Sequence, residues 1–226
     1  MLGGFFEAGS GNYDSYNSFA DAGNVHAKGD NRYYGLGVLA RQDFASGVYV
    51  EGSARFGKLK NDYRSTDLVD ALGNPTSYSQ RKAYYGLHAG LGYVLPLASG
   101  EIDLYGRYLL THQQSSSHVI AGDLYHFDGM DSHRTRLGVV YLHRLSEQAS
   151  FKIGTVWEYE FDGKVKGSVH GKGITAPDIK GSTGILDVGF KLQPSQNKAM
   201  SVDVGLQGYV GKREGLTGNV VLKYAF

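Results

Sequence analysis

Successive side chains of an extended strand point to opposite faces, and in segment after segment this chain keeps one of those faces free of charge. Its final stretch, GNVVLKYAF, shows the pattern. Val220, Leu222, Tyr224 and Phe226 share one parity, while Asn219, Val221, Lys223 and Ala225 share the other. Ten segments read this way, at about 2–8, 32–41, 47–57, 84–95, 101–112, 133–144, 149–161, 182–192, 199–211 and 217–226. The uncharged face carries, among others, Leu36, Val50, Phe56, Leu87, Leu104, Leu137, Ile153, Val188, Phe190 and Val204. The opposite face carries Glu51, Arg55, Asp103, Arg107, Arg134, Arg136, Glu158, Glu160, Asp187, Lys191, Asp203 and Lys223. Helical periodicity is nearly absent, so the fold class is all-β.

Parity does not say which face is inside. A soluble barrel hides the apolar face; a membrane barrel shows it to lipid. Connection lengths separate the two. They alternate along the chain: long at 9–31, 58–83, 113–132 and 162–181, short at 42–46, 96–100, 145–148 and 193–198. Short turns on one rim and long loops on the other are the layout of an outer-membrane barrel. All segments but the first are about as long as a tilted strand needs to cross a bilayer. Aromatic residues at segment ends, Tyr33 with Tyr34, Tyr84 with Tyr85, Trp157 with Tyr159 and Phe161, and Tyr224 with Phe226, suit interfacial girdles. The mean hydropathy of −0.31 is compatible with this, because lumen-facing residues dilute the lipid-facing ones. The expected architecture is a transmembrane antiparallel up-and-down β-barrel of about ten strands, one domain over 1–226. The expected partner is then the outer-membrane lipid. Lysine plus arginine (23) nearly balances aspartate plus glutamate (22), which argues against a nucleic-acid partner.

Four stretches resemble a known family, the C-terminal translocator domain of autotransporters in type V secretion: YYGLGVLARQDFASGVYVEGSARFGKLKNDY, YYGLHAGLGYVLPLASGEIDLYGRYLLTHQQ, VWEYEFDGK followed by KGSTGILDVGFKL, and VDVGLQGYVGKREGLTGNVVLKYAF. The resemblance implies a barrel in the Gram-negative outer membrane that supports export of a covalently linked N-terminal passenger. It implies twelve strands and a lumenal helix, of which this chain supplies ten strands, lacking the first two and the passenger. It also implies that Val220, Leu222, Tyr224 and Phe226 form the terminal signal read by the assembly machinery.

No enzyme activity, metal or cofactor is expected. Some relatives cut their own passenger junction with lumenal acids, and Glu51 and Asp103 hold inward positions. Pairing with Arg55 and Arg107, four residues on, or with neighbouring strands is the expected role, because carboxylates alone do not fix a reaction class. The histidines lie mostly in loops, without metal-binding spacing. The inward glycines Gly35, Gly37, Gly86, Gly90 and Gly92 suit a smooth wall or packed aromatics. KGDNR and KLKNDYR read as solvated loops. A stand-alone barrel stays open as an alternative: a small porin, an adhesin, or a rim protease built on Asp123, His126, Asp128, Asp131 and His133.

Overall fold

Every segment of the wall keeps the alternation described above, and the computed structural model pairs them in chain order. It describes residues 1–19, 23–164, 166–173, 178–194 and 199–224, with only the backbone at 17–19 and 23. The strands are β1 (Leu2–Phe19), β2 (Gly23–Asp43), β3 (Val48–Val69), β4 (Pro75–Leu97), β5 (Gly100–Gln113), β6 (Ser116–Ile120), β7 (Asp123–Phe127), β8 (Met130–Arg144), β9 (Ala149–Glu160), β10 (Gly167–Val169), β11 (Lys172–Gly173), β12 (Gly181–Leu192), β13 (Met200–Gly211) and β14 (Gly215–Tyr224). Ten of them form one curled antiparallel sheet in the order β1-β2-β3-β4-β5-β8-β9-β12-β13-β14. The other four form a small sheet, β11-β10-β7-β6. Among the described residues β1 and β14 do not pair, so the large sheet has two free edges.

Tight connections hold one rim. At residues 44–47 the chain turns with Gly47 at φ 85°, its N–H donating to the Phe44 carbonyl at 3.0 Å. Glycine reaches that region without the Cβ clash that other residues meet.

The other rim departs from the sequence reading. Segment 2–8 is only the start of an 18-residue strand, and most of the expected loop 9–31 is strand as well. β3 and β4 run for 22 and 23 residues, so the expected loop 58–83 shrinks to a tip at 70–74. That tip is closed by Asp70, whose carboxylate accepts the Leu72 and Asn74 N–H groups, each at 2.9 Å. These strands are about twice the 9–11 residues a bilayer crossing needs. Beyond the apolar band both faces turn polar, so the alternation of hydrophobicity stops while the backbone ladder continues. Hydrophobic period two therefore marks the apolar band, not the full strand.

The small sheet fills the expected loops 113–132 and 162–181 and leans on the inner side of the β4 extension. Ser116 Oγ donates to Gln80 Oε1 at 3.1 Å, and the His118 ring stacks on Tyr78, which stacks on Tyr63, at centroid distances of 5.6 and 4.9 Å.

Candidate functional site

The wall itself is the functional surface, and its two faces differ in kind. The uncharged face is the exposed one: Phe56 is 64%, Leu91 64% and Val220 66% accessible, with Leu36, Val38, Leu87, Leu137, Leu186 and Leu206 also exposed. The buried set includes Glu158, Glu160, Asp187, Thr183 and Ser132, with few large apolar groups. A water-soluble fold buries its apolar face and exposes its charges. The inversion here suits a wall with hydrocarbon outside and a polar interior.

The interior charges meet across strands, not along them. Glu51 on β3 and Arg107 on β5 both stand opposite Gly90 of the intervening β4. Without a Cβ there, Arg107 Nε reaches Glu51 Oε1 at 2.6 Å over the β4 backbone. His88 Nε2 lies 3.4 Å and an Arg41 nitrogen 3.9 Å from the same carboxylate. Arg55 is thus not the partner of Glu51; it donates to Glu7 Oε2 on β1 at 3.0 Å. Four positions along an extended strand separate Cα atoms by about 13 Å, too far for that pairing.

Aromatics use the glycine tracks in the same way. Glu7, Gly35, Gly57 and Tyr84 stand in one row across β1 to β4. The Tyr84 ring lies over both glycines, and its hydroxyl donates to Glu7 Oε1 at 2.6 Å. Tyr49, fully buried, lies over Gly92 and donates to Asp103 at 2.9 Å, with the Arg41 guanidinium 3.5 Å above its ring centre. Asp103 is therefore held by a tyrosine and not by Arg107.

The densest cluster is near the long-connection rim. Arg136 stands opposite Glu158 and Arg134 opposite Glu160. Glu158 is 1% exposed and takes hydrogen bonds from Arg136 and from Arg213 of the β13–β14 connection, with Arg134 at 3.8 Å. Glu160 accepts from Ser132 Oγ and from the His133 N–H. Lys152 pairs with Asp187 at 2.9 Å and Lys223 with Asp203 at 2.6 Å. Lys191 stands opposite Asp203 in register, and Lys223 takes the ion pair with that carboxylate.

Sequence reasoning passed over Tyr49, Lys152 and Arg213 as site residues. Inward parity marks the first two; Arg213 lies in a connection, where parity has no meaning. Tyr33 and Tyr84, placed in the girdle, stand instead on the inner parity with their rings edge to face at 6.3 Å. Neighbours on a strand cannot share a face, so only Tyr34 and Tyr85 of those pairs are outward, and both are exposed. Of the four residues expected to form a terminal signal, Val220, Leu222 and Tyr224 are exposed on the last strand, and Phe226 lies outside the described residues.

The rim acids and histidines fall into separate pairs: His170 with Asp123 at 2.8 Å, His126 with Asp128 at 3.4 Å, His112 with Asp131 at 2.8 Å, and His133 with the Tyr108 hydroxyl at 2.9 Å. Among the described residues no three histidine or acidic side chains converge on a common point that would hold a metal ion.

A family model described as autotransporter beta-domain matches residues 1–205. Two solved structures are similar across the wall. The transport unit of the autotransporter AIDA-I from Escherichia coli is 14% identical with a TM-score of 0.66, over 100% of this chain and 83% of that one. The beta domain of the Bordetella autotransporter Brka is 14% identical with a TM-score of 0.58, over 99% of this chain and 92% of that one. No curated protein sequence matches the chain.

Proposed function

The chain belongs to the autotransporter β-domain family, and from that premise we propose that it forms the wall of an outer-membrane translocator that anchors a covalently linked passenger and supports its export to the cell surface. The observation that carries this reading is the inversion of the wall: Leu36, Phe56, Leu91 and Val220 exposed, Glu158, Glu160 and Asp187 buried. A lumen lined by paired charges offers a hydrated path, and the pairing keeps each charge from binding a passing chain strongly. Edge strands cannot stay unpaired in hydrocarbon, where each unsatisfied backbone group costs several kcal/mol. The gap between β1 and β14 is closed in the membrane by further strand pairing. Val220, Leu222, Tyr224 and Phe226 serve as the signal for the assembly machinery, and the translocator works without a reaction or cofactor.

The test joins a reporter domain to the N-terminal side of the chain in its native reading frame and measures protease access at the surface of intact Gram-negative cells. Surface exposure with a heat-modifiable barrel in the outer membrane is expected. A barrel that inserts while the reporter stays periplasmic refutes export. Deleting Phe226 should lower membrane yield in cells far more than refolding yield in detergent; equal losses argue against a recognition role.

A further inference from the structure

We propose that the outer face of β2–β4, just above the apolar band, is a binding site for a phosphate-bearing lipid headgroup of the surrounding outer leaflet. The inference rests on the membrane reading given above.

Its starting point is the pair of stretches KGDNR and KLKNDYR, which the structure places in strands and not in loops. Arg32 of β2 stands opposite Lys60 of β3, and Lys60 stands opposite Arg81 of β4. One row nearer the membrane, Lys58 is flanked by Tyr34 and Ala83. The row below that is Leu36, Phe56 and Tyr85, the top of the exposed apolar band. Side chains directly opposite in a sheet have Cβ atoms about 5 Å apart, and like charges so placed repel. Three bases therefore stand in one line within about 10 Å. Among the described residues they are cancelled only in part. Lys60 Nζ lies 2.7 Å from Asp62 Oδ2. Among the described residues Arg32, Lys58 and Arg81 have neither an ion pair nor a side-chain hydrogen bond.

The acids of this face, Asp30 and Asp62, occupy the next row outward. Beyond the acids a second basic pair, Lys28 and Arg64, stands opposite in register, and Arg64 takes Asp30 at 3.1 Å, so the row nearest the membrane is the basic one left in excess. The distribution around the wall is equally one-sided. All outward lysines and arginines of the large sheet lie on β2–β4: Lys28, Arg32, Lys58, Lys60, Arg64 and Arg81. Outward positions of the other seven strands hold none among the described residues.

Tyr34 and Tyr85, both exposed, set the height, because amphipathic rings settle at the headgroup level. The basic row stands about 5 Å beyond Tyr34, given the strand rise and the usual barrel tilt. A lipid whose acyl chains lie along Leu36, Phe56 and Leu87 would present its phosphates to Lys58, Arg32 and Arg81. The guanidiniums of Arg32 and Arg81 can bind phosphate in bidentate fashion, and a bound anion relieves the repulsion within the row that Asp62 leaves uncancelled.

The experiment reconstitutes the full chain in phosphatidylcholine nanodiscs and titrates in lipid A, a diphosphorylated glycolipid, with bound lipid counted by native mass spectrometry. The triple variant Arg32→Gln, Lys58→Gln, Arg81→Gln should bind lipid A about a hundredfold more weakly, from roughly one kcal/mol per basic residue near an anionic surface. A triple variant in and beside the small sheet, Lys166→Gln, Lys172→Gln, Lys180→Gln, should bind as the parent does. Heat-modifiable migration confirms that each variant is folded. Equal binding by the two triple variants overturns the proposal, and so does equal binding of dephosphorylated lipid A by the parent. Full displacement of lipid A by inorganic phosphate at matched concentration overturns the lipid assignment in favour of a free-anion site. A parent chain that enters no nanodisc overturns the membrane reading itself, a result distinguishable from an inserted chain indifferent to lipid A.

Discussion

Arginine at Val188 tests the inverted wall at its most demanding point. Along β12 the outward positions within the band are Gly184, Leu186, Val188, Phe190 and Leu192, so Val188 is the middle one. With a rise near 3.3 Å per residue and a tilt near 40°, it lies about 10 Å from each end of the five. Its cross-strand neighbours are Ile153 and Leu206. No acid shares the face there, and a guanidinium at that depth must stretch to reach water. The expected cost is about 2–4 kcal/mol for arginine at the midplane of a barrel's lipid face, a factor of roughly 30 to 1,000 in the folding equilibrium. Gln207 on β13, opposite Asp187 and of inward parity, is the control. Arginine there meets an acid and a hydrated interior, and should cost much less. Both variants can be refolded into phosphatidylcholine vesicles and unfolded with guanidinium, following the emission of Trp157. This is the single tryptophan, exposed on the outward face, so its spectrum reports insertion. If Val188→Arg is no more destabilising than Gln207→Arg, the assignment of faces is wrong.

Two other perturbations probe the interior and the rim. Glu158→Gln leaves Arg136 and Arg213 facing a neutral amide; removing one member of a buried ion pair costs about 3–5 kcal/mol, and the partial water access of both arginines puts this case near 3. The double variant Glu158→Gln, Arg213→Gln should recover part of that loss in the same unfolding assay; no recovery would show that the two do not act together. His118, stacked on Tyr78, has its Nε2 buried, and desolvation, then Lys82, hold its pKa below the ordinary value. The docked sheet then binds fewer protons than the undocked one, so docking is fully stable above the ordinary histidine value near 6.5 and weakens as pH falls through it. Amide exchange in β6 and β7, corrected for intrinsic rate, should rise between about pH 7.5 and 5.5, and His118→Phe should remove the dependence; protection unchanged across that range refutes it.

The strand class, the number of crossings and the face to which each wall residue belongs were legible in the sequence, whereas the long connections expected at 9–31 and 58–83 are mostly strand. What was legible follows from a local rule: period two places Glu158 and Val188 on opposite sides whatever surrounds them. The ends of β1 to β4 were not legible, because hydrophobic contrast disappears once both faces meet water, while the ladder of Arg32, Lys60 and Arg81 continues. Nor were the partners legible. Glu51 finds Arg107 and not Arg55 because strand pairing brings them to either side of Gly90, a register set by residues far apart in the chain. Which face is outside was also beyond parity, since a period-two pattern reads the same for either curl of the sheet. Connection lengths and aromatic placement pointed to the apolar face, and the tertiary structure shows why it is the outer one: the curl of the sheet puts glycine tracks and paired charges inside, where Tyr49, Tyr84 and Arg107 lie across neighbouring strands, and leaves the apolar side chains of Leu36, Phe56 and Leu91 exposed.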